Sequence, residues 1–327
     1  MNRKNVGIAV IVVVMVSLLV GGNVVAQPYN PAEFKAVLIL PGPINDQGWN
    51  ATNYSSLTAA NEQLGTNIEY LENVQQQDFE ATFRNYGNRG YHLVMAAGTQ
   101  FDNAAYIIAP LYPETKYLII NGSQAQAPNL TAVTIREWEG GYLAGILAGL
   151  ATKSGIIGEI TAFPYPVLKD ILYGVTAGAQ AVNPNFKQHI RAFANSWDDV
   201  AKGKDMAASM IEQGADVIFS SANQLGLGSV MAVKEAGVKF IGYASNQNEL
   251  APDLIPGSVI YKYEALYTLT IKKALQGELQ PEVFSVGLSD GVIDVAFSAS
   301  ATPEMQTQIQ AAAEQIIAGT ITKPEEN

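Results

Sequence analysis

The feature that most constrains the fold is a strict alternation of short apolar, β-branched runs with segments of helical period. A chain that alternates in this way is expected to form right-handed β-α-β crossovers around a parallel sheet. The alternation runs from residue 36 to residue 120 and begins again at residue 137. We therefore predict an α/β protein with two doubly wound, Rossmann-like lobes in tandem.

The spacing of the apolar residues predicts the individual elements. In the first half, the predicted strands are 36–40, 68–71, 93–97 and 117–120, with helices at 50–63, 78–89 and 103–111. In the second half, the strands are 156–160, 189–194, 216–219 and 239–242, with helices at 137–152, 167–182, 199–213 and 226–236. The last segment contains a strand at 259–261, a helix at 264–275, two strands around residue 290 and a helix at 303–318.

This last segment is expected to supply elements back to both lobes, as a hinged protein of two lobes requires. We expect the first lobe to comprise residues 27–133 together with about 259–287. The second lobe is expected to comprise residues 134–258 together with about 288–318, followed by a tail at 319–327.

Residues 1–26 have the layout of a secretory signal peptide. Arg3 and Lys4 precede an almost wholly apolar run from Val6 to Val20, and Val24-Val25-Ala26 offers a cleavage site of small residues. We expect an exported protein, in the periplasm or at the cell surface. An uncleaved N-terminal anchor is the alternative, because the uncharged stretch approaches the ~20 residues that span a bilayer. The chain has no cysteine, which excludes a lipid attached to cysteine, disulfides and cysteine metal sites.

The composition argues against several other classes of function. The net charge of −11 makes nucleic acid an unfavourable partner. The two histidines, His92 and His189, are expected in different lobes, and the chain has no glycine-rich phosphate-binding motif. We therefore expect no catalytic residues, no metal and no cofactor, and a binding protein rather than an enzyme.

Two tryptophans stand where a ligand is expected to bind. In open α/β sheets, ligands bind beyond the carboxyl ends of the strands, so loops of both lobes would line one cleft. Trp49 lies in the first such loop of the first lobe, and Trp197 lies in the corresponding loop of the second lobe. Two opposed aromatic faces can sandwich a flat heterocycle. The alternative for Trp49 is that it packs the following helix onto the sheet.

The same loops carry amides, whose donors and acceptors suit the edge of a purine. The other candidate ligand-binding residues in these loops are Asn195, Asn223, Asn246, Asp46, Phe163, Tyr243 and Gly98. Neutral amides also suit sugars, so they do not decide the ligand. Asp46 is alternatively a cap of the helix that follows it, and Phe163 is alternatively a core residue.

Several motifs follow one another in register along the chain. They include Gly42-Pro43-Ile44-Asn45-Asp46-Gln47-Gly48-Trp49, Glu139-Gly140-Gly141-Tyr142-Leu143-Ala144-Gly145, Asn195-Ser196-Trp197-Asp198-Asp199 and Gln213-Gly214-Ala215-Asp216-Val217-Ile218. Over about residues 36–295, the chain resembles the basic membrane protein family of ABC-importer binding proteins, which includes the purine nucleoside receptor-type lipoproteins. The resemblance implies a type I periplasmic binding protein fold, a permease and an ATPase as partners, and stacking of Trp49 on a base. We also expect a monomer.

One departure from the family pattern concerns the ligand. The nucleoside-binding members carry an acidic residue, which looks like the group that holds the ribose hydroxyls, where this chain has Ala244. Loss of that acid would leave two sugar hydroxyls unpaired in a closed cleft, at a cost of about 1–3 kcal/mol each. The family's lysine persists as Lys262, and the tryptophans at 49 and 197 resemble the adenine-type subgroup. We expect a purine base as the ligand, with a nucleoside or pentose as the alternative and a nucleoside hydrolase as a more remote one.

Overall fold

The computed structural model describes residues 29–46 and 49–325, which form two lobes that are each built around a six-stranded sheet. The predicted signal peptide at 1–26 lies outside the described residues. The strands of the first sheet are β1 (Ala36–Ile39), β2 (Glu69–Leu71), β3 (Leu93–Ala97), β4 (Lys116–Ile120), β5 (Leu130–Ile135) and β11 (Val283–Val286). The strands of the second sheet are β6 (Ile156–Thr161), β7 (Gln188–Phe193), β8 (Val217–Ser221), β9 (Lys239–Ala244), β10 (Gly257–Tyr261) and β12 (Ile293–Phe297).

Helices alternate with these strands along the chain. They are α1 (Trp49–Leu64), α2 (Phe79–Asn88), α3 (Asp102–Ile108), α4 (Glu137–Ala151), α5 (Pro166–Val182), α6 (Val200–Glu212), α7 (Asn223–Ala236), α8 (Tyr263–Leu275) and α9 (Pro303–Ile317). The predicted two-lobed α/β architecture is therefore confirmed.

The strand order places the switch point of each lobe. The first sheet has the order β11-β5-β4-β3-β1-β2, and the second has the order β12-β10-β9-β8-β6-β7. The pairings are parallel except that of β10 with β12, which is antiparallel. The order reverses beside β1 in one lobe and beside β6 in the other. Ligands bind at such points in open α/β sheets, so a binding site is expected at the loops after these strands.

Close packing of α4 against α5 forms the centre of the second lobe. A Cβ atom on Gly145 of α4 would lie 2.2 Å from the carbonyl oxygen of Val175, and one on Gly178 of α5 would lie 2.1 Å from that of Tyr142. Real side chains do not fit at such distances, so glycine lets the two backbones touch. No helix within residues 29–46 and 49–325 is long and apolar enough to cross a membrane.

Strand β5 was not predicted. Its sequence, Leu130-Thr131-Ala132-Val133-Thr134-Ile135, is interrupted by two threonines, which hide the apolar run although threonine favours strands. The strand pairs in parallel with both β4 and β11, and its residues are almost entirely buried. The first sheet therefore extends through Ile135 rather than ending at residue 133.

The expected boundary near residue 259 was also wrong. Strand β10 pairs with β9 and β12, so it belongs to the second sheet. The chain returns to the first lobe only after Tyr261, where α8 packs on α1 and the Tyr267 hydroxyl donates to Asn53 Oδ1 at 2.8 Å. Together with the β5-to-α4 and β11-to-β12 connections, this makes three passages of the chain between the lobes.

Candidate functional site

Loops from the carboxyl ends of both sheets meet between the lobes, and we call the space that they border the cleft. Gln224, at the start of α7, donates its side-chain amide to the backbone oxygen of Asp46 in the loop after β1, at 3.2 Å. Partial burial raises the pKa of Asp198, and the carboxylate of Asp46 in the opposite lobe raises it further. The first-lobe loop after β1 therefore faces the second-lobe loops after β7 and β8 directly.

Asp46 caps α1, as one of its two expected roles required. Its carboxylate accepts hydrogen bonds from the backbone amides of Asn50 at 3.0 Å and Ala51 at 2.9 Å, and from the side-chain amide of Asn50 at 2.7 Å. These bonds satisfy donors that the first turn of a helix leaves unpaired. Asn50 in turn accepts from the amide of Gly42 at 3.1 Å, which fastens the loop onto the helix.

Trp49 is half-buried at the first turn of α1, and its orientation is fixed from two sides. The indole Nε1 donates to the carbonyl oxygen of Ala97, the last residue of β3, at 3.1 Å. The ring also makes an edge-to-face contact with Tyr263, with 5.5 Å between ring centroids. The indole therefore sits at the switch point of the first lobe, beside Gly98.

A cluster of aromatic rings occupies the facing loops of the second lobe. Phe163 lies 5.6 Å from Trp197 and 5.6 Å from Tyr165, measured between ring centroids. Phe163 and Trp197 are both half-buried, and Tyr165 is exposed. Phe163 thus contacts Trp197 at the rim of the cleft, whereas its alternative role placed it in the core.

Three strands that end at the cleft are followed or closed by a residue with left-handed backbone. These residues are Asn121 after β4, with φ of 57°, Asn195 after β7, with φ of 52°, and Ala244 at the end of β9, with φ of 66°. Asparagine tolerates this region, but alanine does so at a cost. Such strained positions are characteristic of functional loops, and here they turn the chain at the mouth of each sheet.

The remaining predicted site residues lie on the same loops with different surroundings. Asn223 is the half-buried first residue of α7, and Asn246 is exposed, with its Oδ1 accepting from the amide of Asn248 at 3.1 Å. Gly98 is buried with φ of 132°. Lys262 is exposed, and its ammonium lies 2.6 Å from the carboxylate of Asp294 on β12.

Four buried polar groups near these strand ends complement the predicted ligand-binding residues. The carboxylate of Asp102 accepts from the amide and hydroxyl of Ser123, at 2.9 and 2.8 Å. Burial raises the pKa of Asp102, which these bonds only partly offset. Its second oxygen has no hydrogen-bond partner within the described ranges, and neither do the hydroxyls of Thr161, Ser220 and Ser221. Buried polar atoms without partners are costly, so these positions suit groups of a bound ligand or water. In the sequence, the signal for these residues is their position at the end of a strand or just after it.

Tyr243 turns its hydroxyl towards the hinge. The hydroxyl oxygen lies 2.5 Å from Oε2 of Glu137 and 2.6 Å from the hydroxyl of Tyr261. Glu137 also accepts from the side-chain amide of Asn121, at 3.5 Å. Glu137 was not among the predicted site residues, because its partners are 106 and 124 residues away along the chain and only the fold brings them together.

Both histidines have structural surroundings. His92 Nδ1 accepts from the backbone amide of Lys35 at 3.0 Å. The side chain of His189 is buried, with Nε2 3.0 Å from the carboxylate of Glu159 on the neighbouring strand. Within the part of the chain that the structure describes, no group of three or more histidine, aspartate or glutamate side chains is placed to hold a metal ion.

The chain is similar in sequence and in fold to known ligand-binding proteins of ABC transporters and their relatives. A purine-binding protein of Brucella abortus is 27% identical over 289 residues, which cover 88% of this chain and 80% of that protein. A nucleoside-binding protein of an ABC transporter from Lactococcus lactis is 26% identical over 303 residues, which cover 86% of each chain. The structure of an ABC transporter solute-binding protein from Aeropyrum pernix superposes with a TM-score of 0.76, at 21% identity, over 90% of this chain and 94% of that one.

The family assignment covers nearly the whole described chain. Residues 34–327 match the family described as ABC transporter substrate-binding protein PnrA-like. The two-lobed fold with its cleft is what a substrate-binding component requires. The chain therefore belongs to the PnrA-like family of ABC transporter substrate-binding proteins.

Proposed function

We propose that this substrate-binding protein captures a purine base, of the adenine, guanine or hypoxanthine type, between its lobes. The observation that carries the proposal is the pair of half-buried indoles at the carboxyl ends of opposite sheets, Trp49 after β1 and Trp197 after β7. Offset stacking of a base contributes about 0.5–1.5 kcal/mol per ring pair beyond the area that it buries. The purine-binding relative from Brucella abortus supports the same ligand class.

Polar groups around the indoles would recognise the edge of the base. Asn195 and Asn223 are amides at the mouths of β7 and β8, where they can pair with a ring nitrogen and an exocyclic group together. The unpartnered oxygen of Asp102 and hydroxyl of Ser221 are further candidates, since a ligand or water that pairs with them removes the cost of leaving them unpaired.

Two positions that the family resemblance would bring to a ribose offer it little. The family resemblance implies that Ala244 stands where nucleoside-binding members carry an acid, and the methyl group of this alanine accepts no hydrogen bond. Lys262, which the family resemblance would bring to the ligand, has its ammonium 2.6 Å from Asp294. A base without a sugar therefore fits the chemistry of this cleft better than a nucleoside.

Capture would follow from closure about the three connections between the lobes. The bond from Gln224 to the backbone of Asp46 spans the cleft and would form only when the lobes are together. Ligand binding shifts such an equilibrium towards the closed form. The closed protein, which we propose to be an exported monomer in the periplasm or at the cell surface, would then dock on a permease coupled to an ATPase.

Calorimetric titration with adenine, guanine, hypoxanthine and adenosine tests the proposal. We expect at least one free base to bind, and Trp49→Ala and Trp197→Ala each to weaken its binding more than tenfold, because each removes one stacking face together with the apolar area that this face buries. The matched control is Trp138→Phe, since the third tryptophan is buried in α4 and should leave affinity unchanged. Binding of adenosine with no response to any free base would refute the base assignment.

A nucleoside or pentose is the second candidate ligand. The similarity to the nucleoside-binding protein of Lactococcus lactis favours it. In that case adenosine would bind more tightly than adenine, and Trp49→Ala would spare a sugar held chiefly by hydrogen bonds. Release of free base from adenosine during incubation with the protein would instead indicate a nucleoside hydrolase.

A further inference from the structure

Three oxygens form a closed triangle at the hinge. Oε2 of Glu137 lies 2.5 Å from the Tyr243 hydroxyl and 2.6 Å from the Tyr261 hydroxyl, and the two hydroxyls lie 2.6 Å from each other. Glu137 is the first residue of α4, directly after one passage between the lobes, and Tyr261 is the last residue of β10, directly before another. The triangle therefore joins two of the three connections.

No cation balances Glu137 within the described residues. The adjacent Arg136 pairs with Glu139 and with Asp290, and the charge that acts on Glu137 from α5 is the carboxylate of Asp170. Burial raises the pKa of Glu137, and the hydrogen bonds from Tyr243, Tyr261 and Asn121 offset this only in part.

The tyrosines that face this carboxyl are themselves held in the protonated form. Burial and the carboxylate of Glu137 raise the pKa values of Tyr243 on β9, Tyr261 on β10 and Tyr263 on α8 well above 10. Both hydroxyls of the triangle therefore keep their protons. Each contributes one proton and no more.

Counting protons then separates the two states of Glu137. All three O···O distances are in the range of O–H···O hydrogen bonds, each of which needs its own proton. With an ionised carboxylate, the two tyrosines supply two protons for three contacts, and one pair of oxygens faces each other without a proton. A neutral carboxylic acid supplies the third, so that each oxygen donates once around the ring. The carbonyl oxygen Oε1 then accepts from Asn121.

We propose that Glu137 holds the hinge as a neutral carboxylic acid, whose proton completes a ring of three hydrogen bonds with Tyr243 and Tyr261. Asn121 and Tyr263 belong to the first lobe, so separation of the lobes would withdraw them and admit water to the carboxyl group. The acid then ionises and releases its proton to solvent. Closure on the ligand takes the proton back from solvent. In this proposal Glu137 is a positioning residue, which acts through its hydrogen bond with Tyr243.

The consequence for ligand affinity rests on the proposed function. The pKa of Glu137 is higher in the closed form than in the open form, so the contribution of this proton to affinity is complete at low pH. It is lost as pH rises from the open-form pKa through the raised closed-form pKa, at up to tenfold in Kd per pH unit.

The protonation state can be tested without any ligand. Infrared difference spectra between the wild-type protein and Glu137→Gln at about pH 7 should show the C=O stretching band of a protonated carboxyl in the wild type alone. Tyr261→Phe should move that band, because the carboxyl loses one hydrogen-bond partner, and it covers the case in which Glu137→Gln does not fold. A spectrum with only carboxylate bands at this position would overturn the proposal.

Adenine titrations between about pH 5.5 and about pH 8.5 test the coupling, because adenine itself stays neutral in that range. We expect wild-type affinity to fall with pH and that of Glu137→Gln to be flat, since its amide donates as the acid does but has no proton to lose. Equal pH slopes in the two proteins would overturn the coupling. If no base binds at any pH, the proposed function fails, while the infrared result still decides whether Glu137 is neutral.

Discussion

Replacing Ala244 by aspartate should allow the proposed base site to hold a nucleoside as well. Ala244 ends β9 at the cleft and has φ of 66°, a region that aspartate and asparagine enter more readily than alanine. The substitution is therefore expected to fold, and relief of a left-handed alanine should stabilise the protein by up to about 1 kcal/mol.

The size of the effect follows from the bonds that the new carboxylate can make. Each hydrogen bond to a charged group contributes about 1.5–3 kcal/mol, and a ribose offers two hydroxyls. After desolvation of the carboxylate beside the half-buried end of β9, we expect a net gain of about 2 kcal/mol for adenosine, or roughly 30-fold in Kd. The affinity for adenine should change little, since the base has no hydroxyls to present.

Calorimetry of adenosine and adenine with Ala244→Asp and the matched control Ala244→Asn measures this directly. The asparagine variant has the same shape and the same tolerance of the backbone but lacks the charge, so its adenosine-to-adenine ratio should move much less. If the two variants raise the ratio equally, or if neither does, then position 244 does not set the discrimination between base and nucleoside.

Three further predictions concern stability. Gly145→Ala should lower the free energy of unfolding, measured in urea, by about 3 kcal/mol, because the new Cβ would meet the backbone of α5. The control Gly226→Ala should not lower it, because the nearest atom to a Cβ there is 3.4 Å away. Equal stabilities of the two variants would contradict the close helix contact. Burial would raise the pKa of Asp216, but hydrogen bonds from the Thr152-to-Ser154 turn lower it. Asp216→Asn should therefore cost about 1–3 kcal/mol near neutral pH, and the difference should vanish as the pH falls through that lowered pKa. Burial raises the pKa of Glu159, and His189 offsets this only in part. The wild type should therefore lose stability relative to Glu159→Gln as pH rises above the ordinary range of a glutamate, about 4.3. A difference in melting temperature between the two proteins that stays constant across pH would refute this.

Local patterns were enough to predict most of the elements and the class of fold. The period of apolar residues extends over only a few positions, so α1, β3 and the other regular segments could be located from it to within a few residues. The capping role of Asp46 was equally local, because the backbone amides that donate to its carboxylate lie four and five residues away. Strand β5 was not predicted, because two threonines interrupt its apolar run.

Other features depend on which distant segments meet. The membership of β10 in the second sheet is decided by its partners β9 and β12, and a strand's own sequence does not name its neighbours. The same holds for the bond from the Trp49 indole to Ala97, which spans 48 residues. Sequence could place Trp49 in a cleft loop, but it could not say what would fix the plane of its ring.

The sequence by itself thus determined an α/β chain with two doubly wound sheets, and it indicated which loops border the cleft, because strand ends and loop composition are local properties. Only the tertiary structure decided how the lobes are joined and which polar groups meet at that junction. From the sequence alone, Glu137 is predicted only to favour the start of a helix. It becomes part of a buried ring of oxygens only because the fold ends β9 and β10 beside it.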